Sequence, residues 1–102
     1  MGEWVKVGLV SDLDPGQGKT VERGGIEMAL FNLGGSFRAI GNACPHRKGP
    51  LAEGELDGNT VTCPWHGWQL DVTTGGWLKN HEVAVPTYRT EVRGDEVFVE
   101  LP

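Results

Sequence analysis

Residues 44–68 read CPHRKGPLAEGELDGNTVTCPWHGW, and they hold both cysteines of the chain and two of its three histidines. Cys44-Pro45-His46 is a Cys-x-His pair, and Cys63-Pro64-Trp65-His66 is a Cys-x-x-His pair. Sixteen residues, 47–62, separate His46 from Cys63 and include a turn at Asp57-Gly58-Asn59. Such spacing lets two ligand-bearing loops stand side by side at the tip of a β structure. Thiolate and imidazole are donors that zinc and iron accept, so the pattern reads as a metal centre. Chance placement of buried cysteines and surface histidines explains one such pair poorly and two pairs worse. The residues alone leave two occupants open: tetrahedral zinc, or an iron–sulfur centre.

On either side of this stretch the sequence is built from short strands. Trp4 to Val10 reads as a first strand, followed by the polar turn SDLDPGQGK. Thr20 to Arg23 and Ile26 to Asn32 form a hairpin around Gly24-Gly25. Gly34-Gly35 turns the chain into Phe37 to Ile40, where Phe37 and Ala39 face opposite to Arg38 and Ile40. Residues 41–55 lack periodicity and read as a long loop, with a helical turn near 49–52. Thr60 to Thr62 and Gln69 to Val72 are short strands, the second running into the TTGG turn at 73–76. The last fifteen residues, YRTEVRGDEVFVELP, alternate as a hairpin from Tyr88 around Gly94-Asp95. No window carries a helical apolar stripe. The expected fold is all-β, an antiparallel sandwich or barrel.

Composition agrees and narrows the function. The chain has 102 residues, room for one small domain. Sixteen Gly and six Pro imply many tight turns, and four Trp offer large apolar surfaces to bury. Nine Lys and Arg against fourteen Asp and Glu give a net charge of −5. That balance argues against binding nucleic acid or anionic membranes, and no apolar run reaches transmembrane length. No signal-like segment opens the sequence, so a cytoplasmic protein is expected, in which two cysteines serve as thiols or ligands rather than a disulfide. Gly18-Lys19-Thr20 lacks the glycine a phosphate-binding loop needs at position 13, which is Leu13. Asp12-x-Asp14 fails as a calcium loop because Gln17 and Arg23 stand at its glycine and glutamate positions.

Through CPHRKGPL at 44–51 and CPWHGW at 63–68 the chain resembles Rieske-type ferredoxins. The resemblance implies an all-β Rieske iron–sulfur fold over residues 1–102, a single domain with a small cluster-binding subdomain. Its cluster loops would lie at about 42–52 and 62–70. It implies one [2Fe-2S] cluster, one iron held by Cys44 and Cys63 and the other by His46 and His66. Imidazoles donate less charge than thiolates, so the histidine-held iron would take the electron near the surface. Leu51, Trp65, Gly67 and Trp68 are expected to pack against or shield the cluster; Arg47 and Lys48 are candidates for docking.

The resemblance also implies the role. The expected function is a one-electron carrier, not itself an enzyme, between a flavin-dependent ferredoxin reductase and a terminal ring-hydroxylating oxygenase. The alternative is the small Rieske subunit of an assimilatory nitrite reductase, partnered by its large subunit. A structural zinc-binding module is the alternative of another class. High-potential relatives carry a disulfide beside the cluster and Ser and Tyr donors to it. Trp65 stands at the second-loop position of that disulfide, and Trp68 and Leu70 replace the donors, so a low potential is expected. Many similar ferredoxins place Gly-Pro on a third loop, whereas here the stretch is Trp77-Leu78-Lys79-Asn80-His81. His81 reads as a surface residue.

Overall fold

The structure, a computed structural model, describes residues 2–45, 48–65 and 67–102. Among the described residues, twelve strands form three antiparallel sheets. The first sheet joins the chain's two ends: β1 (Glu3–Leu9) pairs with β12 (Glu96–Leu101), which pairs with β11 (Thr90–Arg93). The second has the order β10 (Thr87–Tyr88), β4 (Phe37–Gly41), β3 (Ile26–Asn32), β2 (Gly18–Arg23). The third is a meander of five short strands: β5 (Glu55–Asp57), β6 (Thr60–Thr62), β7 (Gln69–Asp71), β8 (Gly76–Trp77) and β9 (Asn80–Ala84). The second ligand box lies between β6 and β7 of this third sheet. No helix among the described residues is long and apolar enough to cross a membrane.

Strand β3 explains how the layers are joined. Its run Met28-Ala29-Leu30-Phe31 is apolar at every position, so both faces of the strand must be covered. Met28 and Leu30 join Val7, Val21, Phe37, Ala39, Val97, Val99 and Leu101 in a core between the first two sheets. Ala29 and Phe31 point the other way, to a second core with Ile40, Leu51, Val61, Leu70, Val72 and Val85. Fully burying Phe31 alone contributes roughly 1.5–3 kcal/mol. Cys44 and Cys63 belong to this second core. The β2–β3 hairpin that sets the register turns at Gly24 and Gly25, with φ of 58° and 80°. Two consecutive left-handed residues match the twist of the strands they join, and glycine adopts them without steric cost.

Several boundaries differ from the sequence reading. Val10 leaves β1 and opens a 3-10 turn over Val10–Asp12, because the Asp12 carboxylate accepts the Leu9 N–H at 2.8 Å and the Lys19 ammonium at 3.1 Å. The helical turn expected at 49–52 is a 3-10 turn at Leu51–Glu53. Strand β7 ends at Asp71, one residue early, where the aspartate side chain turns inward to cap the TTGG turn. Tyr88 does not start the terminal hairpin. It pairs with Ala39 in β10, while the hairpin proper begins at Thr90, whose hydroxyl donates to the Phe37 carbonyl at 2.6 Å. The third-loop stretch is a tight hairpin, β8 to β9, with His81 exposed on it.

Candidate metal centre

The two Cys boxes become two loops that rise from the ends of strands over the second core. The first leaves β4 and returns to the 3-10 turn at Leu51. An isolated bridge pairs Ala43 with Pro50, the Cys44 N–H donates to the Gly49 carbonyl at 2.9 Å, and the Lys48 N–H donates to the Cys44 carbonyl at 2.7 Å. The loop is thus closed across its own base. Its tightness shows at Lys48, whose φ of 60° costs a residue with a Cβ about 1–2 kcal/mol. Leu51, fully buried, packs beneath.

The second loop leaves β6 at Thr62. Its ends are joined by the Cys63 N–H donating to the Trp68 carbonyl at 2.7 Å, and Gly67 takes the left-handed φ of 75° that lets the chain reverse. The Trp65 N–H turns back and donates to Cys63 Sγ at 3.4 Å.

Cys44 and Cys63 are 1% and 2% exposed and meet across the two loops as free thiols. Burial pushes the Cys63 thiol above its ordinary value, the Trp65 N–H pulls it back, and the neighbouring Cys44 raises it further. A metal that takes these sulfurs must therefore displace their protons, and its positive charge supplies what burial withholds from the thiolates. Gly49 makes the approach possible. A Cβ there would stand 2.9 Å from Cys63 Sγ and 3.0 Å from the Trp65 ring.

Two thiols converging from separate loops, buried and backed by a peptide N–H, are a donor set suited to a thiolate-held iron. Among the described residues no three His, Cys, Asp or Glu side chains gather into a metal site. The two expected histidine ligands, His46 and His66, lie outside the described residues, as does the docking candidate Arg47. Lys48 is exposed beside the first loop. Trp65 covers Gly49 with one side of its ring but stays 50% exposed, so it is also a surface residue. Trp68 is half-buried and stacks on Trp77, with ring centroids 3.8 Å apart and planes within 5°. The sequence reading missed this pairing. It also passed over Asn42, a buried amide at the base of the first loop. A buried Asn has no spacing signature, and two tryptophans nine positions apart stack only because β7 and β8 are neighbours.

Residues 3–89 match the family model of the Rieske [2Fe-2S] domain. The chain belongs to the Rieske [2Fe-2S] family. Between the zinc and iron–sulfur occupants that the residues left open, membership selects one [2Fe-2S] cluster. This Rieske chain is 36% identical over 98 residues to ferredoxin CarAc of Metapseudomonas resinovorans, covering 94% of this chain and 92% of that one. It is 35% identical over 95 residues to the 3-phenylpropionate/cinnamic acid dioxygenase ferredoxin subunit of Escherichia coli, covering 91% and 89%. Among solved structures it resembles a chain of the complex of reduced oxygenase and oxidized ferredoxin in carbazole 1,9a-dioxygenase. The TM-score there is 0.87 at 35% identity, over 95% of this chain and 92% of that one. It also resembles a Mycobacterium tuberculosis chain named as an NADH-dependent nitrite reductase small subunit. That likeness has a TM-score of 0.93 at 26% identity and covers 100% and 97%.

Proposed function

We propose that this chain is a cytoplasmic one-electron carrier, a ferredoxin that passes electrons from a flavin-dependent reductase to a terminal ring-hydroxylating oxygenase. The observation that carries the reading is the pair of buried thiols, Cys44 and Cys63, brought together over the core by two self-closed loops. We assign Cys44 and Cys63 as the ligands of one iron, and His46 and His66, two and three residues further along the same loops, as the ligands of the other. When bound, a [2Fe-2S] cluster supplies a site that accepts and returns a single electron. The chain's part is to hold and insulate it. Leu51, Val61 and Leu70 pack in one core with the two cysteines and keep water from the sulfur side. The carrier reading fits the relatives, which are named as a ferredoxin and a dioxygenase ferredoxin subunit.

The first test is composition. The purified protein should contain about two iron and two acid-labile sulfide per chain. One tightly held zinc without sulfide would overturn the reading. Cys44→Ser or Cys63→Ser should abolish the cluster, as should removal of His46 or His66. The second test is kinetic: mixed with a dioxygenase flavin reductase and NADH, the chain should be reduced in one-electron steps and reoxidised by the matching oxygenase.

A second reading, the small subunit of an assimilatory nitrite reductase, is favoured by the likeness over the full chain to the Mycobacterium tuberculosis structure. Stable co-purification with a nitrite reductase large subunit, without reduction by a flavin reductase, would select it.

A further inference from the structure

Asn42 stands two residues before Cys44, at the end of β4, and is 2% exposed. Each of its polar groups is engaged. Its carbonyl accepts the Leu51 N–H at 2.8 Å, and its Oδ1 accepts the Ala52 N–H at 2.8 Å. The residue that opens the first loop thereby holds the two residues that close it. On the other side, its N–H donates to the Glu27 carbonyl at 3.3 Å. Its Nδ2 donates to the Glu27 carboxylate at 2.6 Å and to the Thr20 hydroxyl at 3.3 Å. Glu27 lies on β3 and Thr20 on β2, strands that take no part in the ligand boxes.

We propose that Asn42 is a positioning residue for the cluster: it clamps the neck of the Cys44–His46 loop and ties it to the β2–β3 hairpin, fixing the separation of Cys44 from Cys63. The inference rests on the reading of Cys44 and His46 as ligands. An asparagine suits the task because it must accept from Ala52 and donate to Glu27 at once, which neither Asp nor a hydrophobic residue does. The Glu27 bond is charge-assisted and short, so it holds the amide in one orientation. Hydrogen-bonding partners behind metal ligands characteristically govern how firmly the metal is kept.

Three variants test it. Asn42→Asp keeps the acceptor for Ala52 but sets a second carboxylate against Glu27. Adding Glu27→Gln to that variant restores one donor and one acceptor with the polarity reversed. Asn32→Asp is the comparison: Asn32 is also buried, donates to the Leu13 carbonyl at 2.8 Å and accepts the Gly34 N–H at 2.8 Å, at the end of β3 and outside both ligand loops.

The readouts are the rate of cluster loss to an iron chelator, the electron paramagnetic resonance spectrum of the reduced protein, and the melting temperature. Asn42→Asp should lose its cluster about 10–100-fold faster than native, with an altered spectrum. The double variant should return to within a few-fold of native, and Asn32→Asp should keep the native rate and spectrum even where its melting temperature falls as far. Should Asn42→Asp fail to fold, Glu27→Ala, a change at an exposed residue, must show the same faster loss to a smaller degree. Cluster loss that merely tracks melting temperature across all variants would overturn the proposal. Native protein that binds no iron, or Cys44→Ser protein that keeps its cluster, would overturn the ligand reading beneath it.

Discussion

The centre is most sensitive where single atoms meet. Gly49 has ordinary φ, so a substitution there is opposed by space alone. A methyl group would crowd Cys63 Sγ and the Trp65 ring together. Gly49→Ala should cost about 1–3 kcal/mol and lower iron and sulfide content, whereas the same change at the open Gly58 turn should leave the cluster full. Colorimetric iron analysis of both variants separates them, and equal, full clusters would contradict the packing argument. Leu70 is the other telling residue. It is fully buried in one core with Cys44 and Cys63, and its side chain offers the sulfurs no hydrogen-bond donor. Negative charge on the sulfurs is then less compensated, and the oxidised state is favoured. The midpoint potential should lie near the low end of the Rieske range, at about −150 mV. A voltammetric value above about +100 mV would refute this tuning while leaving the cluster in place.

At the scale of elements, the third loop matters most. The sequence there lacks the expected Gly-Pro, yet β8 and β9 form a hairpin held to the second ligand loop by the Trp68–Trp77 stack and by the Leu78 N–H donating to the Gln69 carbonyl at 3.0 Å. Trp77→Ala removes the stack and half-buried surface together, and should destabilise the fold by about 2 kcal/mol, read from chemical denaturation. The hairpin is entered through Asp71, whose carboxylate accepts the Thr73 hydroxyl at 2.6 Å and the Thr73 N–H at 2.8 Å. Chiefly the Thr73 hydroxyl holds Asp71 below its ordinary value of 3.8, with burial opposing and the Thr73 N–H assisting. A lowered native value means the stabilisation is complete above pH 3.8 and disappears as pH falls through the native value. Asp71→Ala should therefore be less stable than native by about 1–2 kcal/mol at neutral pH, and the gap should close in acid. A gap that stays constant down to pH 2 would count against the capping role.

Some of this was legible in the residues and some was not, for physical reasons. The turns at Gly24-Gly25 and Gly94-Asp95 depend on local chemistry and stand where they were read, and of the paired boxes the structure describes Cys44 and Cys63, both buried in one core. The two-residue strand β8 and its partner β9 carry no alternation long enough to detect, so they emerge only through tertiary pairing. Asn42 is the same case for the site. Its importance comes from Glu27, Thr20, Leu51 and Ala52 meeting at one point, which spacing along the chain does not encode.

Over the whole molecule, charge and shape set how the carrier meets its partners. The chain carries −5 overall, but Arg47 and Lys48 lie in the first ligand box, against the general acidity. On the sheet joining the termini, Arg89 and Arg93 lie over Trp4 at 5.9 Å and 5.6 Å, and Arg93 over Phe98 at 4.5 Å. Those arginines cover aromatic surface; Arg47 and Lys48 are docking candidates by their place in the first ligand box. Lys48→Glu and Arg47→Glu should slow second-order reduction by the reductase at low salt, keep full cluster content, and converge on native rates as salt rises. Identical rates and salt slopes in stopped-flow would remove both residues from the docking surface.

The central claim is that Cys44, His46, Cys63 and His66 together hold one cluster, with the electron residing on the histidine-held iron. Pulsed electron paramagnetic resonance of the reduced protein tests it most directly, because it detects nitrogen nuclei bound to the iron that carries the spin. The account predicts two strongly coupled imidazole nitrogens in the native reduced protein, both changing when histidine is labelled with nitrogen-15. A reduced cluster without strongly coupled nitrogens, or with couplings that histidine labelling leaves unchanged, would contradict it.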